Sequence, residues 1–595
     1  MKHKILILGS LVTALSLGLA SCGEGFLYKA PQGAIDQSAL SNSQGAELLC
    51  VNAYASLTYP MGFEGPSNWV FGSMYGGDAH KGSTQSDQSV LNAVEKYAIT
   101  NTNSYLSVKW RLTFYGVKRA NLAMNVLEAA TDMDASTKAI RVGEMKFLRA
   151  FWYFEGVKMF GPTGCPFIDE ATAAADNDPK VHNGTDIYPN IISDLQAAIS
   201  ALPATQGDPG RANQWAAKAL LAKVYMQKGD MASAKPILKD IVDNGLSPKG
   251  VKLALRSTLD DNWNSATEHN SESIFEIEHS MTYDCGGYDM MLNFPYGGSS
   301  LSTCCGFFQP SYDLADSYKV DANGLPYLNK EYQGAPHVSQ VVNGTVTSDT
   351  KVAVDPRLDF TIGRVGIPYM DWGPMEQAWV RDISNGGPFE PKKHVFHKAE
   401  LDAGLASNSV NGWWAPGSAK NMQYLSLRDI KLLYAECLAN DGDLAGAMQQ
   451  VNDIRNRAAS PTNIIYQVTT DAADRQVAVT TTPAANYLVK PYPTTHAAFS
   501  NKDVCIKAIR MERKLELGME GVRFYDLARW GGAVMRSEVQ SYIDYDKQFL
   551  PTTMSSSQAP SADKLWFPIP LTQIQTLGND ESGAPYLVQT DPWKE

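Results

Sequence analysis

The chain has few of the residues from which catalytic and metal centres are usually assembled. Its 595 residues include only 9 histidines and 8 cysteines, and no Cys-x-x-Cys pair occurs, which disfavours a zinc ribbon or a thioredoxin-like site. Gly-x-Ser-x-Gly, His-Glu-x-x-His, P-loop and dinucleotide fingerprints are all missing. His394 and His397 are three apart, but Pro391 and the lack of period around them predict extended chain, in which the two rings face opposite ways. No metal and no cofactor are expected. Positive charge is also in deficit: 51 Lys and Arg against 63 Asp and Glu leave a net charge of -12, which excludes nucleic acid as a natural partner. Beyond the first 22 residues no apolar run is long enough to span a bilayer.

What is present begins at the N-terminus. Met-Lys-His-Lys is followed by an apolar run from Ile5 to Ala20 and then by Leu19-Ala20-Ser21-Cys22. A cationic head, a short hydrophobic region and small residues before a cysteine predict a lipoprotein signal peptide over residues 1–21, with Cys22 as the lipidated residue. Acyl chains stabilise membrane attachment by roughly 0.8 kcal/mol per buried CH₂, so the mature chain is expected to be anchored to a bilayer and not threaded through it.

Helical apolar spacing occupies Gln44 to Leu57, Val108 to Ala130 and Glu144 to Phe160. Asn213 to Gly245 and Leu427 to Ala458 each read helix, Gly-Asp turn, helix, the layout of a tetratricopeptide unit. Such pairs bury their faces against one another, so the fold class is mainly α, a tetratricopeptide-like scaffold with a large loop-rich insert. Helical repeats are expected over about 40–250 and 425–460, the insert over about 251–424, and C-terminal helices with a closing segment over 500–595. The insert turns to Gly, Asn, Ser, Tyr and Trp, and loops on a rigid scaffold are where binding residues tend to lie. Thr and Val alternation between Pro461 and Ser500 is compatible with a short hairpin.

Near the C-terminus stands Ala508-Ile-Arg-Met-Glu-Arg-Lys-Leu-Glu-Leu-Gly-Met-Glu-Gly-Val-Arg-Phe-Tyr-Asp-Leu-Ala-Arg-Trp-Gly531. Val504, Ala508, Met511, Leu515 and Met519 form one helical stripe, with Gly521 as the stop. Glu512 and Glu516 lie one turn apart beside it, which predicts half-buried carboxylates held by arginines, with Arg523 and Arg529 nearest in sequence.

That stretch resembles the C-terminal signature of the SusD-like (RagB/SusD) family of Bacteroidetes outer-membrane glycan-binding lipoproteins. Gly143-Glu-Met-Lys-Phe-Leu-Arg-Ala-Phe-Trp-Tyr-Phe154 with Met159-Phe-Gly-Pro162, Asp355-Pro-Arg-Leu358 and Leu565-Trp-Phe-Pro-Ile-Pro-Leu571 resemble further family motifs, almost end to end. The resemblance implies a single domain over 22–595, a non-enzymatic glycan-binding lipoprotein on the outer face of the outer membrane, and a partner: a SusC-like TonB-dependent transporter. A lipid-anchored glycoside hydrolase and a helical-repeat adaptor for protein or peptide ligands are the alternatives, since two carboxylates suffice for a glycosidase.

Sugars stack their C–H faces on aromatic rings and need polar partners for their hydroxyls. Exposed rings are therefore expected among Tyr283, Tyr288, Tyr296, Trp372, Trp379, Trp413 and Trp414, with Arg381 as donor, and at Trp69 and Tyr75 beside the Asp78 turn. Adjacent Cys304 and Cys305, in an exported chain, would close a stiff ring able to pack on a sugar face.

Overall fold

A computed structural model describes residues 40–594 apart from 60, 283–286, 298–300, 302–303, 410–415 and 472–475. The signal segment and Cys22 therefore lie outside the described residues, as do Tyr283, Trp413 and Trp414.

The periodic stretches are helices, begun and ended by the residues their sequences supply. In the first half they are α1 (Ser43–Tyr54), α2 (Ser104–Ala129), α3 (Ala135–Phe160), α4 (Tyr188–Ala201), α5 (Gln214–Lys228) and α6 (Met231–Asn244). Asp134 caps α3 by accepting the Thr137 amide at 2.9 Å. Between α5 and α6, Gly229 takes φ 86°, and Asp230 accepts the Ser233 amide. The same device joins α7 (Leu427–Asn440) to α8 (Leu444–Ala458), with Gly442 at φ 85° and Asp443 capping Gly446. These two units are the predicted helix pairs.

Helix α2 packs on α3, α3 on α4, α4 on α5, α5 on α6, and α6 directly on α7. The chain thus leaves the stack after Asn244 and rejoins it at Leu427 beside the helix it left. Lys235 on α6 pairs with Asp441 after α7 at 2.7 Å. Helix α9 (Lys502–Leu517) closes on α7 and α8, followed by α10 (Arg523–Arg529) and α11 (Gly532–Asp546). Among the described residues no helix is long and apolar enough to cross a membrane.

Described strands are short and paired in twos. In chain order, those that matter here are β1 (Ala79–Gly82), β2 (Ser273–Ile277), β3 (Phe307–Pro310) and β4 (Met422–Ser426). β1 pairs antiparallel with β3, and β2 with β4. The β2–β4 ribbon bounds the insert and is packed onto α3 through Phe147 on Phe275 and Phe151 on Tyr424, at centroid distances of 5.0 and 4.6 Å. The insert is not merely loop, because it holds a small core of its own around Phe294, Tyr369, Trp372, Trp379 and Phe396. Tyr466–Thr470 and Gln476–Pro483 pair antiparallel as an exposed ribbon.

Helix α9 ends at Leu517, earlier than its apolar stripe predicts. Met519 itself takes the left-handed conformation at φ 67°, followed by Gly521 at φ 73°. Glu512 and Glu516 are fully buried, not half-buried, and their cations come from elsewhere. Arg357, inside the insert, and Arg455 and Arg457 on α8 meet them. Arg529 instead binds Glu436 at 2.6 Å, and Arg523 binds Glu538 at 3.3 Å. The carboxylates are scaffold, as the spacing predicts, but the guanidiniums nearest in sequence are not their partners.

Candidate functional site

The expected binding residues divide by burial. Trp69 is 0% exposed, with its Nε1–H donating to the Phe63 carbonyl and its ring against Phe308. Tyr75 is buried between Phe524 and Phe567. Trp372 donates Nε1–H to the Phe396 carbonyl at 3.0 Å, and Trp379 packs edge-on against Tyr369. These four rings correct the expectation of an exposed platform: non-periodic chain offers no helix face, yet the insert's own core buries Trp372 and Trp379 all the same.

Asp78 is likewise buried. Its Oδ2 accepts the Ser73 hydroxyl and the backbone amide of Met519, each at 3.2 Å, and burial pushes its carboxyl up to about 6 against the pull of Arg523. It ties the β1 turn to the left-handed residue after α9, so its partners are neither sugar hydroxyls nor chiefly its own turn amides. Tyr288 falls in a short 3₁₀ turn, Tyr288–Met290.

The remaining predicted residues are brought together. Tyr296 is 37% exposed, and the Arg381 guanidinium lies 4.7 Å from its ring centroid. Arg381 Nη1 donates to Ser83 Oγ at 2.8 Å, Asp87 Oδ2 at 2.7 Å and the Cys305 carbonyl at 3.1 Å. Cys304 and Cys305 form a disulfide immediately before β3. Backbone pairing holds the arrangement: the Tyr296 amide donates to the Trp379 carbonyl at 2.8 Å, and Gly306 donates to Phe294 at 2.9 Å. Gly306, at φ 72°, is required here, because a Cβ would stand 2.9 Å from Arg381 Cβ and 3.3 Å from Tyr296 Cβ. Asn385 secures the other wall by donating to the carbonyls of Gly82 and Ser83.

An aromatic ring, a guanidinium and a carboxylate therefore share one partly exposed surface, with the buried Ser83 hydroxyl holding the guanidinium from beneath. With Nη1 occupied, Nε and Nη2 of Arg381 have no hydrogen-bond partner among the described residues and remain as donors. Asp87 and Ser83 escaped the sequence reading; the only signal was their place just after the Gly-bounded β1 turn.

A separate cleft of about 130 Å³ opens between β4, Trp263 and the turn after α9. Its cations are all ion-paired, Lys223 with Asp429 at 2.6 Å, Lys158 with Glu155, Lys420 with Glu400 at 3.5 Å, Lys393 with Glu520 at 2.7 Å, and Arg428 with Glu520 at 2.9 Å and Glu272 at 3.5 Å. His394 is half-buried at its edge, its ring against Phe294, and desolvation brings its pKa down to about 4. His397 instead bridges Asp260 and Glu400. The two histidines do not share a site.

A stacked helical scaffold with a loop-built, aromatic and polar face is the class these elements define. A family model described as the SusD family matches residues 271–593, and one described as starch-binding associating with outer membrane matches residues 52–226. The chain belongs to the SusD family. It is 25% identical over 338 residues to a SusD-like protein of Bacteroides ovatus, a match spanning 54% of this chain and 58% of that protein. It is 24% identical over 518 residues to SusD-like protein P25 of Formosa agariphila, spanning 84% and 80%. Among solved structures it is similar in fold to a laminarin binding SusD-like protein, with TM-score 0.61 at 21% identity over 93% of this chain and 99% of the other. Surface glycan-binding protein A from Bacteroides thetaiotaomicron in complex with laminarihexaose gives TM-score 0.62 at 18% identity, over 92% and 99%.

Proposed function

We propose that this chain is a cell-surface glycan-binding lipoprotein. It captures an oligo- or polysaccharide without turnover and passes it to a SusC-like TonB-dependent outer-membrane transporter. The observation that carries the reading is the partly exposed Tyr296 ring under Arg381, beside Asp87 and the Cys304–Cys305 disulfide. A sugar would lay its C–H face on the ring while its hydroxyls meet the guanidinium and carboxylate. Tyr283, Tyr288, Trp413 and Trp414 are proposed as further sugar contacts on their place in the Gly- and Asn-rich sequence alone. Family membership supports the role, as do relatives described as binding laminarin and laminarihexaose. Anchoring through Cys22 would hold the protein at the outer membrane, facing outward.

Affinity electrophoresis against a glycan panel starting with laminarin and starch is the test, combined with a time course for new reducing ends. Retardation by at least one glycan with no release of reducing ends is expected. Steady product release would support the hydrolase instead, and failure across the panel would favour the adaptor.

A further inference from the structure

In a chain of net charge -12, one pocket gathers charge of the other sign. It lies between α9, α11 and residues 328–332 of the insert and encloses about 350 Å³. Lys330, Lys507, Arg510, Lys514 and Arg523 line it against a single carboxylate, Glu538. Helical period explains how so many cations meet: Lys507, Arg510, Met511 and Lys514 stand at i, i+3, i+4 and i+7 on α9 and share one face. None of them belongs to the Tyr296 surface or to the cleft beside Trp263.

The carboxylates within reach do not use up this charge. Glu538 is divided between Lys330 at 3.1 Å and Arg523 at 3.3 Å. Burial would raise its carboxyl, but Arg523, Lys330 and Lys514 hold it below the usual range. Behind the wall, buried Asp313 takes Lys514. Lys507 is exposed and reaches only the Asn329 side-chain oxygen, at 3.2 Å, while Glu331, the other carboxylate near it, is taken up by Asn329. Among the described residues Arg510 is the one arginine that makes neither a hydrogen bond nor an ion pair, and its Nε is buried without a partner. Its guanidinium lies 4.7 Å from the centroid of the Trp530 ring, which Arg523 and Arg529 also approach, at 5.7 and 5.3 Å. Burial and the like charge of Arg529 and Arg523 lower the pKa of Arg510, with Glu436 and Glu538 opposing them.

A guanidinium with a buried, unused donor is costly until an acceptor reaches it. The acceptor that guanidinium and ammonium groups recognise together is an oxyanion: the arginine fork meets two oxygens at once, and lysine adds a point charge. The other part of the wall is apolar, made by Leu328, Met511, Val534 and the Trp530 ring. One water needs only about 10–15 Å³ of such space, so the pocket is far roomier than a bare ion requires. An oxyanion carried on an organic body fits both halves of the wall.

We propose that this pocket is a second ligand site, which takes an oxyanion group (sulfate, phosphate or carboxylate) borne on a sugar. Arg510 is the principal donor, Lys507 and Arg523 complete the charge around the anion, and the apolar wall receives the body of the sugar. That the carrier is a sugar rests on the glycan-binding reading above; the anion rests on the pocket alone.

The test is calorimetry on the purified full chain with dextran and with dextran sulfate. Chloride buffer at physiological ionic strength, with a Debye length of about 8 Å, screens diffuse attraction but not contact inside the pocket. Dextran sulfate should bind more tightly than dextran. Arg510→Gln should weaken the sulfated polymer by about tenfold or more, the loss of a hydrogen bond to a charged group. Lys507→Gln, at an exposed position, should weaken it less. Both variants should melt near the wild-type temperature, because Arg510 has no hydrogen bond or ion pair to lose. Inorganic sulfate stabilises folded proteins in general, so the reading there is a difference: it should raise the melting temperature of wild type more than that of Arg510→Gln. Equal affinity for the two polymers, equal affinity of wild type and Arg510→Gln for dextran sulfate, or a sulfate effect without polymer binding would each overturn the site. Those failures leave retardation by neutral glycans untouched, whereas loss of that retardation across the panel leaves the sulfate difference standing.

Discussion

Arg357 and Glu512 meet at 2.7 Å in the interior, both almost wholly inaccessible, although one belongs to the insert and the other to α9. The same Nη1 lies 3.0 Å from Glu516, one turn further along the helix. Asp355 pins the guanidinium from the opposite side at 2.7 Å. One arginine therefore locks the insert to the C-terminal helix. Arg357→Ala should strand buried carboxylates and cost about 3–5 kcal/mol, read as a fall in urea midpoint.

Glu516 makes this lock sensitive to acid. Burial alone would raise its carboxyl, but Arg457, Arg357 and Arg428 bring it down to about 2. A depressed folded-state pKa contributes stability above the unfolded value near 4.5 and loses it as pH falls through about 2. That shift is worth roughly 3 kcal/mol. The stability difference between wild type and Glu516→Gln should therefore shrink steadily between pH 5 and pH 2.

His80 sets the alkaline side. It is buried between Glu95 at 3.2 Å and Asp546 at 2.8 Å. Burial disfavours its charge, yet hydrogen bonds to Asp546 and Glu95 outweigh that and carry its pKa up to about 9. A raised pKa means the contribution is complete below about pH 6.5 and is lost as pH rises through about 9, again roughly 3 kcal/mol. Denaturant midpoints at pH 6.5 and pH 10 should differ more in wild type than in His80→Gln.

Tyr296→Ala and Arg381→Ala should each weaken glycan binding by about 2 kcal/mol or more, a loss of roughly thirtyfold. Tyr296 is partly exposed, so its variant should keep the wild-type melting temperature. Calorimetry with the glycan that retards the protein is the measurement; unchanged affinity in both variants would move the binding face elsewhere.

Trp69→Ala should behave in the opposite way, losing about 3–5 kcal/mol of stability as a core truncation. A variant that melts normally yet loses glycan would contradict the buried position of that ring.

Alkylation of the unfolded, unreduced chain should leave Cys304 and Cys305 unmodified, whereas Cys50, Cys165, Cys437 and Cys505 should all react. Peptide masses with and without prior reduction decide it, and labelling of the adjacent pair without reductant would refute the disulfide.

Sequence alone determined the helices, their Gly-Asp turns and the family, because helical period and capping are local and Leu427–Asn440 needs no distant residue to be recognised as a helix. It also marked Glu512 and Glu516 as carboxylates in want of arginine. Only the tertiary structure decided which arginines: Arg357 reaches Glu516 across 159 positions, a pairing that no spacing rule contains. Exposure of the aromatics was undetermined for the same reason. Trp372 and Tyr296 sit in similar Gly-rich chain, but Trp372 is enclosed by a core assembled from distant parts of the insert, while Tyr296 is left at its edge beneath Arg381. Burial is set by what folds over a residue, and that depends on how the whole chain closes.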